Sequence, residues 1–148
     1  MAITVSRKIR VRRPVGEVFA LWADFENFPR FMSHIAAATP VRDGVTHWVL
    51  KGPPGITLEW DAQTTEMTFA RRIAWRTLSG HVEHTGEVLF NDLGGETEMT
   101  VTMTYETPYG TLGDLAGKLL LDPQSQLETD LENFKRFCEK TAPLRRTG

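Results

Sequence analysis

From Ile3 to Arg12 apolar and polar side chains alternate: Ile3, Val5, Ile9 and Val11 fall on one side, Thr4, Ser6, Lys8, Arg10 and Arg12 on the other. A period of two built on β-branched residues predicts a half-buried strand. Arg7 interrupts the apolar side, which suggests an edge or a pocket mouth. Pro14 ends the strand, and Val15, Val18, Phe19 and Trp22 then recur at helical spacing, predicting a short amphipathic helix. Phe25, Phe28, Phe31 and Met32 prolong the aromatic stretch, and Pro29 limits it to a second short helix. Two such apolar helices cannot stand free and are expected to cover one end of a sheet.

The period then returns to two. Ala36 to Arg42 and Val45 to Lys51 flank Asp43-Gly44, a hairpin signal, and Gly52-Pro53-Pro54-Gly55 predicts a loop. Ile56, Leu58 and Trp60 alternate with Thr57, Glu59 and Asp61 in a long strand running towards Met67. Ile73, Trp75 and Thr77 do the same against Arg72, Ala74 and Arg76. Glu83 to Phe90 and Thr97 to Tyr105 flank a second hairpin turn, and in the last strand Met99, Val101, Met103 and Tyr105 oppose Thr100, Thr102 and Thr104. A threonine face opposite a face of large apolar residues suits a sheet wetted on one side.

After Pro108 the spacing is helical again: Leu112, Leu115, Leu119 and Leu120, then Asp122-Pro123 as an N-cap with proline at the first helical position. Leu127, Leu131, Phe134 and Cys138 form a second apolar stripe, with Glu128, Asp130, Glu132, Lys135 and Arg136 outside it. The pattern predicts one long C-terminal helix, kinked or restarted at Pro123. The expected architecture is α+β: a curved antiparallel sheet of about seven strands wrapped around that helix, with two short helices after the first strand. One domain is expected over residues 1–143, with a flexible tail at 144–148. A twisted sheet can be sealed by a helix without being filled by it, so a cavity is expected between them.

Composition changes this picture little. At 148 residues with 24% charged side chains the chain suits one folded core. A net charge of −2 gives no field for nucleic acid or an anionic membrane, and the basic cluster Arg7, Lys8, Arg10, Arg12 and Arg13 reads as a solvated face. Cys138 is the single cysteine, so an intrachain disulfide is excluded, and its place in the apolar stripe makes it a buried thiol. The sequence has no stretch of about 18 apolar residues and no apolar leader, so stable membrane insertion is not expected and the expected location is the cytoplasm. The expected quaternary state is monomer or homodimer.

Candidate chemistry is sparse. His81 and His84 lie three apart, which on a strand sets them on opposite faces, so neither a metal site nor any cofactor is expected. His84 shares strand parity with Val88 and Phe90 and so points towards the expected cavity. Trp48, Trp60 and Trp75 fall on three separate strands, Trp60 and Trp75 in parity with Leu58 and Ile73, and such indoles suit either core packing or an aromatic wall for a ring or acyl chain. Tyr105, at the end of its apolar face, offers a hydroxyl to a ligand. With Met99 and Met103 from the last strand, and Leu115, Leu119, Leu127 and Leu131 from the helix, these residues make the candidate cavity lining, equally compatible with plain core. The Ser33-His34 and Ser79/His81 pairs lack a nucleophile elbow, and the prolines of the Gly52–Gly55 loop remove N–H groups that would cradle phosphate.

The segment Ala23-Asp24-Phe25-Glu26-Asn27-Phe28-Pro29-Arg30-Phe31-Met32, with Trp60-Asp61-Ala62, Ile73-Ala74-Trp75-Arg76 and the helix from Leu127 to Phe137, resembles the START-like (SRPBCC) superfamily. Within it the chain is similar to bacterial polyketide cyclase/dehydrase-like proteins. The resemblance implies a helix-grip fold and a cavity that binds or transports a small lipophilic molecule. Its alternative reading is a cyclase, aromatase or dehydratase acting on an aromatic or polyketide substrate in the same cavity, with polar groups such as His84 and Tyr105 moving protons. It leaves catalysis undecided, because the superfamily has no common catalytic motif to carry across.

Overall fold

The computed structural model describes residues 2–52, 55–106 and 123–141. β1 (Ala2–Val11) leads into α1 (Val15–Ala23) and a 3-10 helix (Phe25–Arg30). Six strands follow: β2 (Ile35–Arg42), β3 (Val45–Gly52), β4 (Ile56–Thr68), β5 (Arg72–Gly80), β6 (His84–Asp92) and β7 (Thr97–Glu106). The last described element is α2 (Pro123–Lys140), with its proline at the first helical position. The expected helical run from Leu112 to Leu120 lies outside the described residues.

All seven strands form one antiparallel sheet in the order β1-β7-β6-β5-β4-β3-β2. Consecutive strands β2 to β7 pair as hairpins, and β1 closes onto β7 with Ile9 opposite Met99 and Val5 opposite Met103. Asp43-Gly44 turns β2 into β3, with Gly44 in the left-handed region at φ 74°. On the wet face, hydroxyl rows knit β1 to β7: Thr4 with Thr104 at 3.1 Å and Ser6 with Thr102 at 3.2 Å. Register breaks in β4 between Asp61 and Ala62, and between Thr64 and Glu66, mark irregularities of the kind that bend a strand and sharpen its twist.

α2 lies against β1 and is fixed to it at both ends. Near its start, Gln124 Nε2 donates to the Ser6 carbonyl at 3.0 Å. At its finish, Arg13 donates to the carbonyls of Cys138, Glu139 and Thr141, capping groups that have no partner within the helix. Arg7 points from β1 towards the helix and meets Glu128 at 3.9 Å and Glu132 at 3.7 Å. Leu131, Phe134 and Cys138 are fully buried beneath it. Burial pushes the Cys138 thiol up to about 12, so it stays protonated. Phe134 meets Trp22 of α1 edge-on at 5.0 Å and Phe31 at 4.9 Å, joining both short helices to α2.

Candidate functional site

Side chains on the concave face of the sheet divide into a packed end and an open end. The β6–β7 register shows the gradient: Phe90 faces Met99, Val88 faces Val101, Gly86 faces Met103 and His84 faces Tyr105. At the Phe90 end, Phe19 of α1 packs edge-on against Phe90 at 5.3 Å, and Val88, Met99 and Leu131 are fully buried. At the His84 end a cavity of about 130 Å³ remains between the sheet, the 3-10 helix and the first turns of α2.

An unbroken aromatic wall bounds it. Ring centroids step from Trp22 to Phe28 (5.0 Å), Phe28 to Trp48 (5.0 Å) and Trp48 to Trp60 (6.3 Å, planes 7° apart). From Trp60 the wall continues to His84 (5.6 Å) and from His84 to Tyr105 (5.5 Å). Trp48 and Trp60 are direct partners across β3 and β4, which fixes their near-parallel indoles. Trp75 reaches the cavity across Gly86, its partner on β6: a Cβ there would sit 2.3 Å from the Trp75 ring. Gly80, at φ 124°, similarly lets β5 approach Trp60, where a Cβ would fall 2.4 Å from the Trp60 Cα.

The polar groups in this wall are few and poorly partnered. Trp60 Nε1 and His84 Nδ1 are buried without a hydrogen-bond partner. Burial lowers the His84 pKa to about 4, so the imidazole is neutral near pH 7. The His84 backbone is held by Thr77, whose hydroxyl donates to the His84 carbonyl at 3.1 Å and accepts from its N–H at 3.0 Å. Among the described residues Tyr105 donates to the Met103 sulfur at 3.5 Å, and burial, with the Asp130 carboxyl adding to it, pushes its phenol above the ordinary value. Asp130 lines the cavity from α2. It accepts from Gln126 Nε2 at 2.9 Å, and burial raises its carboxyl to about 6, offset by Gln126 and His34. Among the described residues that line the cavity there is no lysine or arginine. Among the described residues no group of three or more His, Cys, Asp or Glu side chains is placed to hold a metal ion.

Of the residues expected from sequence to line the cavity, Trp60, Trp75, His84, Met103, Tyr105 and Leu127 border it. Phe90, Met99 and Leu131 face the same side of the sheet but lie in the packed core beneath α1 and α2. Leu115 and Leu119 fall outside the described residues. Trp48, the third indole weighed as core or aromatic wall, borders the cavity too, as do Phe28 and Asp130, which were not expected to. Trp48 carried a usable signal, since it shares strand parity with Thr46 and Leu50, which also line it. Asp130 was assigned to the outer face, yet it lies three residues after Leu127 and so shares its side of the helix.

Residues 11–132 match the family model described as "Polyketide cyclase / dehydrase and lipid transport". The chain belongs to this family. It is 34% identical over 139 residues to an uncharacterized 17.2 kDa protein of Streptomyces lincolnensis, covering 92% of this chain and 89% of that one. A solved structure from Deinococcus radiodurans shares 30% identity at a TM-score of 0.72, covering 93% of this chain and 98% of its own. The Zhui aromatase/cyclase from Streptomyces sp. R1128 superposes at a TM-score of 0.75 with 19% identity, over 95% of each chain. A START superfamily protein from Mycobacterium smegmatis superposes at 0.70 with 17% identity, over 90% of this chain and 97% of that one. The helix-grip fold of the START-like proteins is therefore the fold of this chain. No helix of the described residues is long and apolar enough to cross a membrane.

Proposed function

We propose that the protein binds a small lipophilic, ring-bearing molecule in the cavity between the sheet and α2. The observation that carries this is the space of about 130 Å³ against a continuous aromatic wall, at the opposite end of the sheet from the buried described core around Phe90 and Met99. Dry apolar cavities near 150 Å³ accept a benzene-sized guest. Flat indole faces offer such a ring dispersion contact at little entropic cost. Titration with single-ring phenols, flavonoids, sterols and quinones tests the proposal. A saturable change in tryptophan fluorescence with a rise in melting temperature is expected for ring compounds, weakened in Trp75→Ala. If no compound binds below about millimolar, where contacts amount to only ~4 kcal/mol, the proposal fails.

The second reading is a cyclase, aromatase or dehydratase. It is supported by Asp130, a carboxyl brought close to neutral pKa on the same cavity as His84 and Tyr105, as a group that moves protons requires. Shape alone can orient a flexible substrate, so few polar groups suffice for this reading. It requires turnover of a polyketide chain that Asp130→Asn abolishes while leaving substrate binding intact.

A further inference from the structure

The polar groups of the cavity set a selection rule for its ligand, and the rule rests on the binding reading above. A carboxylate entering this space would meet no lysine or arginine among the described lining residues, the buried His84 imidazole is neutral, and His34, the other histidine on the lining, already interacts with the Asp130 carboxyl. The formal negative charge already present belongs to Asp130, whose one described hydrogen bond comes from Gln126 on its own helix. Desolvating a second anion beside it, without a counter-charge, is costly. Three buried groups on the lining nevertheless lack partners, Trp22 Nε1, Trp60 Nε1 and His84 Nδ1, and the last two belong to neighbouring rings. Trp60 Nε1–H can only donate, and His84 Nδ1, on a neutral ring, can accept. Their rings meet edge-on with centroids 5.6 Å apart, so both unpartnered nitrogens belong to one ring contact in the cavity wall. A hydroxyl is the smallest uncharged group that accepts from the first and donates to the second.

We propose that the cavity selects uncharged aromatic molecules bearing a hydroxyl, recognised jointly by Trp60 and His84, and rejects their carboxylate counterparts. Fatty acids and other ionised acids are then excluded as ligands, although the cavity wall is apolar enough to hold their chains. Trp60 and His84 act as specificity-determining residues, each leaving a buried polar atom unpaired when the ligand lacks the hydroxyl.

Three matched probes test this at pH 8, where Asp130 is ionised: 4-ethylphenol, ethylbenzene and 4-ethylbenzoic acid, which share one apolar body. Binding is followed by calorimetry and by the indole N–H signals in proton–nitrogen correlation spectra. The expected order is 4-ethylphenol first, with ethylbenzene and the ionised acid each at least tenfold weaker. The Trp60 indole N–H signal should move with the phenol and stay near its free position with ethylbenzene. His84→Phe should remove the phenol's advantage over ethylbenzene, and His84→Gln, which keeps an acceptor and a donor, should restore part of it. Trp60→Phe provides an independent variant if the His84 substitutions fail to fold. Equal affinity for the acid and the phenol, or for ethylbenzene and the phenol, overturns the selection rule while leaving ring binding standing. Failure of all three probes to bind overturns both.

Discussion

His84 is the residue on which burial and chemistry meet most directly. Its folded pKa lies near 4 against 6.5 for the free side chain, so between these values the unfolded chain binds a proton that the folded chain refuses. Stability from this group is therefore full above pH 6.5 and lost as the pH falls towards 4, by on the order of 3 kcal/mol. Asp130 acts in the opposite sense. Its raised pKa favours folding at low pH and loses that contribution as the pH rises from 3.8 through about 6. Urea midpoints at pH 4.5 and 7 should show a smaller drop on acidification for His84→Gln than for the natural protein, and a larger one for Asp130→Asn. Identical pH slopes in all three would mean that neither group is buried as described. Period-two parity brought Trp60, Trp75 and His84 to the right face from sequence. The same parity could not tell Phe90 from His84, because which end of β6 is filled depends on Phe19 arriving from α1.

At the scale of elements, strand hairpins and the α2 stripe were legible because each rests on local periodicity and on turn residues such as Asp43-Gly44. The rotation of α2 about its own axis was not. It is set by contacts remote in sequence: the Arg13 cap, the Arg7 pairs with Glu128 and Glu132, and Gln124 on the Ser6 backbone. That rotation brings Asp130 to the cavity. The stripe beneath α2 holds it down, and truncating Leu131 or Phe134 to alanine should cost about 2–5 kcal/mol in denaturant unfolding. Arg13→Ala should cost less, about 1 kcal/mol, because water can replace the guanidinium at these half-buried carbonyls. Unchanged midpoints in both truncations would contradict the seating of α2 on the sheet.

For the whole molecule, the aromatic wall leaves a space that the described side chains do not fill, and unfilled apolar space lowers stability. Its place beside the buried described core around Phe90, Met99 and Leu131 is the reason for assigning it a guest. Ala62 borders the cavity and is itself buried. Replacing it with leucine should occupy the space, giving an equal or higher melting temperature while abolishing uptake of ring compounds. The most direct measurement is a crystal structure of the protein with 4-ethylphenol bound. It should show the ring in the cavity bordered by Trp60, Trp75 and Leu127, with its hydroxyl within hydrogen-bonding distance of Trp60 Nε1 and His84 Nδ1. A cavity closed by its own side chains, with the compound absent or seated on the outer surface, would contradict the account.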